Sequence, residues 1–317
     1  MLSIVIPIYN ETKIITNLYE RLTSAGLLWH EEYEVILVDD GSIDDSLEQM
    51  VALTRKDARF SVVKLSRNFG HQAAISAGLK TAKGDAVVIM DGDLQDPPEA
   101  LLSLLEKWRE GYEVVYAVRQ NRKENIFKRT AYSIFYRLLQ RISNIDIPLD
   151  SGDFCLMDKK VVNVLNHTLT ENIRFVRGLR AYAGFRQTGV TYERDARSAG
   201  KSKYTASKLI GLAISGLLGF SMFPLRIAVY AGLFISTTSI LIGMTYFVIR
   251  VFNIPLFGHY ATEATGFATL AVGIYLLGGI ILLMLGLLGE YIGRIYIEVK
   301  DRPMYIVDEV YRQGEAE

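Results

Sequence analysis

The sequence predicts an α/β domain, a mostly parallel sheet with helices on both faces, followed by a membrane-associated helical region. Three observations carry this reading. Between residues 2 and 118, short runs rich in Val and Ile alternate with helical stretches, the pattern of strands buried on both faces by crossover helices. Each run ends in a polar cluster, and in such sheets ligands bind at the carboxyl ends of strands. Residues 227–249 and 264–289 then carry no charge at all, and each exceeds the roughly 20 residues needed to cross a bilayer core.

The strand candidates, in order, are "SIVIPI", "YEVILVD", "SVVKLS", "AVVIMD" and "EVVYAV". Helices are expected between them, for example over 12–25 and 98–110. A helix is predicted over 125–139, where Arg129 and Ser133 share a face as i,i+4 neighbours. "LDSGDFCLMD" reads as a turn and a short strand, and 171–193 as a helix and a strand. "RDARSAGKSKY", residues 194–204, is a basic loop. Residues 205–223 mix Leu, Ile, Met and Phe with Ser, Gly and Lys208, as expected of an amphipathic helix lying on a membrane surface. Pro224 then turns the chain into the first span. The expected organisation is a main domain over 1–204, the surface helix over 205–223, two transmembrane helices with a short external loop over 224–290, and a tail over 291–317.

Arg226 precedes the first span, and Arg294, Lys300 and Arg302 follow the second, whereas the connecting loop holds only Arg250 and Glu263 as charges. Positive charge favours the inner side, so the sequence predicts a multi-pass protein of the plasma (inner) membrane with its main domain and tail cytoplasmic. Formal charge is balanced at 35 basic and 35 acidic residues, which gives no basic footprint for nucleic acid. The single cysteine, Cys155, rules out an intramolecular disulfide. The first residues show neither a basic n-region nor a cleavage site.

The rim of the sheet collects "PIYNE", "DDGS", "SRNFG", "DGD" and "VRQNR". Turn chemistry alone accounts for Gly41, Ser42, Gly70 and Gly92, but not for Asp39, Asp40, Asp91 and Asp93 along one edge. Asp91 and Asp93 are separated by Gly92, which lets the backbone turn so that both approach one cation, and Gln95 adds a neutral oxygen. An oxygen-only set with open positions suits Mg2+ or Mn2+ holding a diphosphate. The alternative is a solvated loop whose acid caps the helix that follows Pro97 and Pro98.

"IVIPIYNE", "VDDGS", "LSRNFG", "MDGDLQDPPE", "SGDF" and "GKSKY" resemble, in order and spacing, the inverting family 2 glycosyltransferases with the GT-A (nucleotide-diphospho-sugar transferase) fold. More narrowly, the chain is similar to the polyprenyl-phosphate sugar transferases, including dolichol-phosphate mannose synthases and bactoprenol glucosyltransferases. The similarity runs over nearly the whole chain, including "GEYIGRIYIEVKDRP". Trp29 and Trp108 are not preceded by the Q-x-x-R pattern of the processive relatives, which argues against polymer synthesis.

The resemblance implies roles residue by residue. Pro7, Tyr9, Asn10, Glu11, Asp40, Ser42, Arg67, Asp91, Gly92 and Asp93 would bind the nucleotide sugar. Asp91, Asp93 and Gln95 would hold Mg2+ or Mn2+. Arg119, Arg129, Ser133, Arg197, Ser202 and Lys203 would grip an acceptor phosphate. Catalysis would rest on Asp93, Asp153, Arg129 and Arg197. Asp153 stands where inverting enzymes keep a general base, but a lipid phosphate is already ionised near neutral pH, so a positioning role stays open. The implied activity is transfer of one sugar, glucose or N-acetylhexosamine in class, from a UDP-sugar to polyprenyl (undecaprenyl) phosphate with inversion, serving cell-envelope glycan modification. The implied partners are that donor, that acceptor and the bilayer; a homo-oligomer is left open. Two alternatives remain: transfer to a glycolipid hydroxyl, and a catalytically inactive GT-A module serving as a binding subunit or scaffold.

Overall fold

The computed structural model describes residues 1–120, 151–172, 174–193, 223–252 and 267–314. The expected helix over 125–139, the basic loop 194–204, the amphipathic segment 205–222 and the loop between the spans lie outside these residues. So do Arg129, Ser133, Arg197, Ser202 and Lys203.

All five expected strands form: β1 (Leu2–Ile8), β2 (Tyr33–Asp39), β3 (Phe60–Leu65), β4 (Ala86–Ile89) and β5 (Val114–Gln120). They join β6 (Ser151–Asp158), β7 (Gln187–Glu193) and β8 (Val307–Tyr311) in one eight-stranded sheet of order β7-β5-β6-β4-β1-β2-β3-β8. β1 pairs in parallel with β2 and β4, β2 with β3, and β5 with β7. β6 runs antiparallel between β4 and β5. That reversal positions the site. An antiparallel strand puts its N-terminus on the edge where its neighbours put their carboxyl ends, so the start of β6 joins the rim formed by β1 to β5.

The helices are α1 (Ile15–Gly26), α2 (Ser46–Lys56), α3 (His71–Thr81), α4 (Leu101–Arg109, after a 3-10 turn at Pro98–Ala100), α5 (Lys159–His167) and α6 (Val176–Tyr182). Leu2, Ile4, Ile6 and Ile8 of β1 share a buried cluster with Leu18 and Leu22 of α1 and Leu101, Leu104 and Leu105 of α4. The alternate residue Val5 faces α3, which approaches so closely that a Cβ on Gly78 would sit 2.2 Å from Val5 Cγ1. Both faces of β1 are therefore dry, as its unbroken apolar run predicted.

The chain divides into two compact units, Met1–Leu217 with Asp301–Glu317, and Leu218–Lys300. In the second unit, α7 (Phe223–Val251) and α8 (Phe267–Val299) are long and apolar enough to cross a membrane. Their large side chains, among them Leu233, Phe234, Leu282 and Leu283, are exposed. α8 continues ten residues past the charge-free run, through Glu290, Arg294 and Glu298, with Arg294 Nε bonded to Glu290 at 3.2 Å. The residues after it rejoin the sheet: β8 pairs antiparallel with β3, Ser66 N–H donates to the Ile306 carbonyl at 3.0 Å, and Lys64 meets Asp308 at 2.6 Å.

Candidate active site

The loops after β1 and β2 are sewn together. Asn10, at φ 53, accepts from Ile43 N–H at 2.9 Å while its own N–H donates to Ser42 Oγ at 3.1 Å. Glu11 N–H donates to Ser46 Oγ at 2.9 Å, and the Asp39 carboxylate accepts from Ser42 N–H at 3.2 Å. Gly41 is required here: its φ is +69°, and a Cβ would lie 2.5 Å from backbone atoms of Arg67 and Asn68. Asp40 is buried and accepts from Phe69 N–H at 2.7 Å and Gly70 N–H at 3.0 Å. Burial pushes its carboxyl above the usual range against those two bonds. Asp40 thus ties the β2 rim to the β3 rim. Arg67 lies 4.1 Å over the Phe69 ring. Pro7 stands in β1 opposite Val38, one residue before the strand ends.

The turn after β4 comes close to β1: a Cβ on Gly92 would meet Ile8 Cδ1 at 2.4 Å. Asp93 Oδ1 accepts from Gln95 N–H at 3.2 Å, and Leu94, at φ 56, buries its side chain between them. The register Ile89 to Cys155, continued two residues past β4, sets Asp91 level with Asp153. Between these carboxylates stands His71, the first residue of α3, with Nε2 3.6 Å from Asp91 Oδ1 and 3.4 Å from Asp153 Oδ2. Arg177 of α6 reaches Asp153 Oδ1 at 3.3 Å, and Gln72 Nε2 approaches Oδ2 at 3.5 Å. Gln72 Oε1 also accepts from Val176 N–H at 2.9 Å, which fixes α6 against α3.

Electrostatics follow from this packing. Burial raises the Asp153 carboxyl, but Arg177 and His71 outweigh it and hold the group well below the usual carboxylate range. Burial opposes charge on His71, yet the Asp153 hydrogen bond and the Asp91 charge push its pKa up to about 9. Asp91 moves opposite to Asp153: desolvation and the carboxylates of Asp96, Asp153 and Asp93 raise it despite His71. Its side chain is still 30% exposed, so a ligand can reach it.

An excess of negative charge around Asp91 is what a divalent cation would offset, and the donors match: two carboxylates flanking a glycine and the amide of Gln95. Among the described residues no group of three or more His, Cys, Asp or Glu is placed to hold a metal ion by itself.

At the far side of the rim, Arg119 is the penultimate residue of β5. Its Nε donates to Tyr192 Oη at 3.3 Å, and Tyr192 in turn donates to buried Asp96. The structure thus brings Asn10, Ser42, Asp40, Arg67, Asp91, Asp93, Arg119 and Asp153 to one edge. Sequence reasoning missed His71, Gln72, Asp96, Arg177 and Tyr192. His71 directly follows the quoted "SRNFG", and its place at a helix start after a rim glycine was the available signal. Arg177 and Tyr192 gave none, because their partners lie 24 and 96 residues away.

Residues 3–165 match the family model described as Glycosyl transferase family 2. The chain is 47% identical over 310 residues to the uncharacterized glycosyltransferase YkcC of Bacillus subtilis (strain 168), covering 98% of this chain and 94% of that one. It is 39% identical over 312 residues to the SfII prophage-derived bactoprenol glucosyl transferase of Shigella flexneri, covering 98% of each. Among solved structures, the mannosyltransferase PcManGT from Pyrobaculum calidifontis, in complex with GDP-Man and Mn2+, aligns with a TM-score of 0.43 and 18% identity, covering 63% of this chain and 58% of that one.

Proposed function

This chain belongs to glycosyl transferase family 2 and is a glycosyltransferase of the GT-A class; from that premise we propose that it moves one sugar from a UDP-sugar to polyprenyl phosphate with inversion. The full-length likeness to bactoprenol glucosyl transferases supports the acceptor. The observation that carries the chemistry is the engagement of Asp153. Both of its oxygens face donors, Arg177 on one and His71 and Gln72 on the other. A carboxylate held in this way is placed to orient its neighbours rather than to remove a proton, which suits a nucleophile that arrives ionised.

In this reading an acceptor phosphate oxygen attacks the anomeric carbon, the bond from that carbon to the diphosphate breaks, and its electron pair leaves with UDP. Asp91, Asp93 and Gln95 would hold a divalent ion, whose contribution is positive charge near the leaving diphosphate. Asn10 and Ser42, locked by the Asn10 N–H bond to Ser42 Oγ and the Ile43 N–H bond to Asn10 Oδ1, would present the edge on which the nucleotide lies, with Pro7, Tyr9, Glu11, Asp40 and Arg67 around it. Asp153 and Arg177 keep His71 between the two halves of the site. Arg119 serves the acceptor side, together with Arg129, Ser133, Arg197, Ser202 and Lys203.

α7 and α8 are assigned as a pair of membrane crossings in the plasma membrane, with residues 1–204 as the cytoplasmic catalytic domain. The flanking basic residues support that side. A further support is connectivity: β8, after the second crossing, belongs to the same sheet as β1–β7, and two crossings return the chain to the side it left. The test is to incubate the purified full chain with undecaprenyl phosphate and a panel of labelled nucleotide sugars. Labelled lipid from one UDP-sugar, with the label released by mild acid as from a glycosyl phosphate, is expected; label that appears only on a glycolipid hydroxyl, or no transfer from any donor, contradicts the reading.

A further inference from the structure

β7 runs parallel to β5 with Tyr192 opposite Arg119, so the two side chains leave the sheet at one level of the rim. The phenol oxygen of Tyr192 accepts from Arg119 Nε at 3.3 Å and donates to Asp96 Oδ1. Asp96 is fully buried and sits in the loop that also carries Asp91 and Asp93. The Phe154 ring packs edge-on against the Tyr192 ring, with centroids 5.5 Å apart at 75°, which limits the swing of the phenol. On the opposite side, Gly152 keeps close to the guanidinium: a Cβ there would be 3.1 Å from an Arg119 terminal nitrogen.

We propose that Tyr192 is a positioning residue that orients Arg119 toward the acceptor phosphate and joins it to the loop bearing Asp91 and Asp93. The inference rests on the acceptor role assigned to Arg119 above. A guanidinium beside a buried carboxylate tends to close a direct ion pair. Tyr192 stands between the two and carries the hydrogen bond instead, so Arg119 feels the field of Asp96 without being captured by it. The bond to Nε uses one of five N–H donors and does not involve the forked pair of terminal nitrogens that matches a phosphate. Burial and Asp96 hold the phenol above its ordinary pKa, so the hydroxyl keeps the proton it donates. Gly152 gives the guanidinium room to lie flat along the start of β6, one residue before Asp153.

The test is a double-mutant cycle on the full-length protein, with initial rates measured against polyprenyl phosphate and against the donor. Tyr192→Phe removes one atom and keeps the ring; it should raise the acceptor KM about tenfold, as loss of a bond to a charged group does, with the donor KM within about twofold. Arg119→Ala should raise the acceptor KM at least as far, and Tyr192→Phe should then add almost nothing, because partners in one network are not additive. Thermal melting checks that the variants fold. Where Tyr192→Phe does not, Phe154→Leu serves in its place, since it leaves the hydroxyl but frees the ring; the same dependence on Arg119 is expected. An unchanged acceptor KM in Tyr192→Phe beside a raised one in Arg119→Ala refutes the positioning role and leaves the phosphate acceptor standing. An equal effect of Tyr192→Phe in both backgrounds also refutes it, as that marks a general structural role. An unchanged acceptor KM in Arg119→Ala overturns the assignment of Arg119 and this inference together.

Discussion

Asp93 and Asp153 are six ordinary carboxylate atoms whose surroundings give them different work. Asp93 follows a glycine that only a bare backbone can fill, since a Cβ on Gly92 would meet Ile8. Its substitution by Asn keeps the shape and removes the charge. Turnover should fall by about 100-fold or more, each factor of ten corresponding to about 1.4 kcal/mol of barrier, while the melting temperature stays close to that of the parent. EDTA should abolish activity and added Mg2+ or Mn2+ restore it; near-normal turnover in EDTA would remove the metal from the account. Asp153→Asn should impair the enzyme by loosening His71 and Arg177, which both contact it, and the defect should be one of orientation. The Asp91–Gly92–Asp93 spacing was legible because it is local. The His71 bridge between Asp91 and Asp153 was not, because it needs the antiparallel register of β6 on β4, which no window of sequence displays.

At the scale of elements, strands buried on both faces announce themselves, and β1 to β5 were readable from their apolar runs for that reason. β8 was not: its residues are mostly exposed, its pattern is acidic and short, and nothing nearby says that a segment after a hydrophobic helix returns to a sheet edge. Deleting the residues after Lys300 should lower the melting temperature of the catalytic unit, because it strips the β3 edge of its main-chain partners at about 1 kcal/mol each and removes the Lys64–Asp308 pair. An unchanged melting temperature would show that β8 contributes nothing to the sheet. The close seat of α3 gives a second test. Gly78→Ala puts a methyl into Val5, and overpacking of this kind costs about 1–3 kcal/mol, readable by thermal or denaturant unfolding. A neutral result would mean that α3 is free to lift from the sheet.

For the whole molecule, the pattern of flanking charge supports the proposed topology, in which the loop joining the two membrane crossings would face away from the cytoplasm. A cysteine placed at Gly258 should react with an impermeant thiol reagent added to intact cells. Cys155 is fully buried in β6 and adds little background. Labelling that appears only after permeabilisation would reverse the orientation. The overall plan, a sheet domain followed by two apolar helices, was visible in the sequence because hydrophobic period and length report it directly. The assignment of the final residues to the sheet was hidden, because it depends on where the chain goes after crossing rather than on what it is made of.

The central claim is that the nucleophile is a phosphate. The direct measurement is the rate of sugar transfer by the purified full chain to polyprenyl phosphate and to the matching uncharged polyprenol, with Asp153→Asn alongside. Transfer to the phosphate alone is expected, with a phosphodiester-linked sugar in the product and residual phosphate-directed activity in Asp153→Asn. Efficient glycosylation of the polyprenol, lost on substitution of Asp153 by the about 10²–10⁴-fold that general base catalysis is worth, would contradict it.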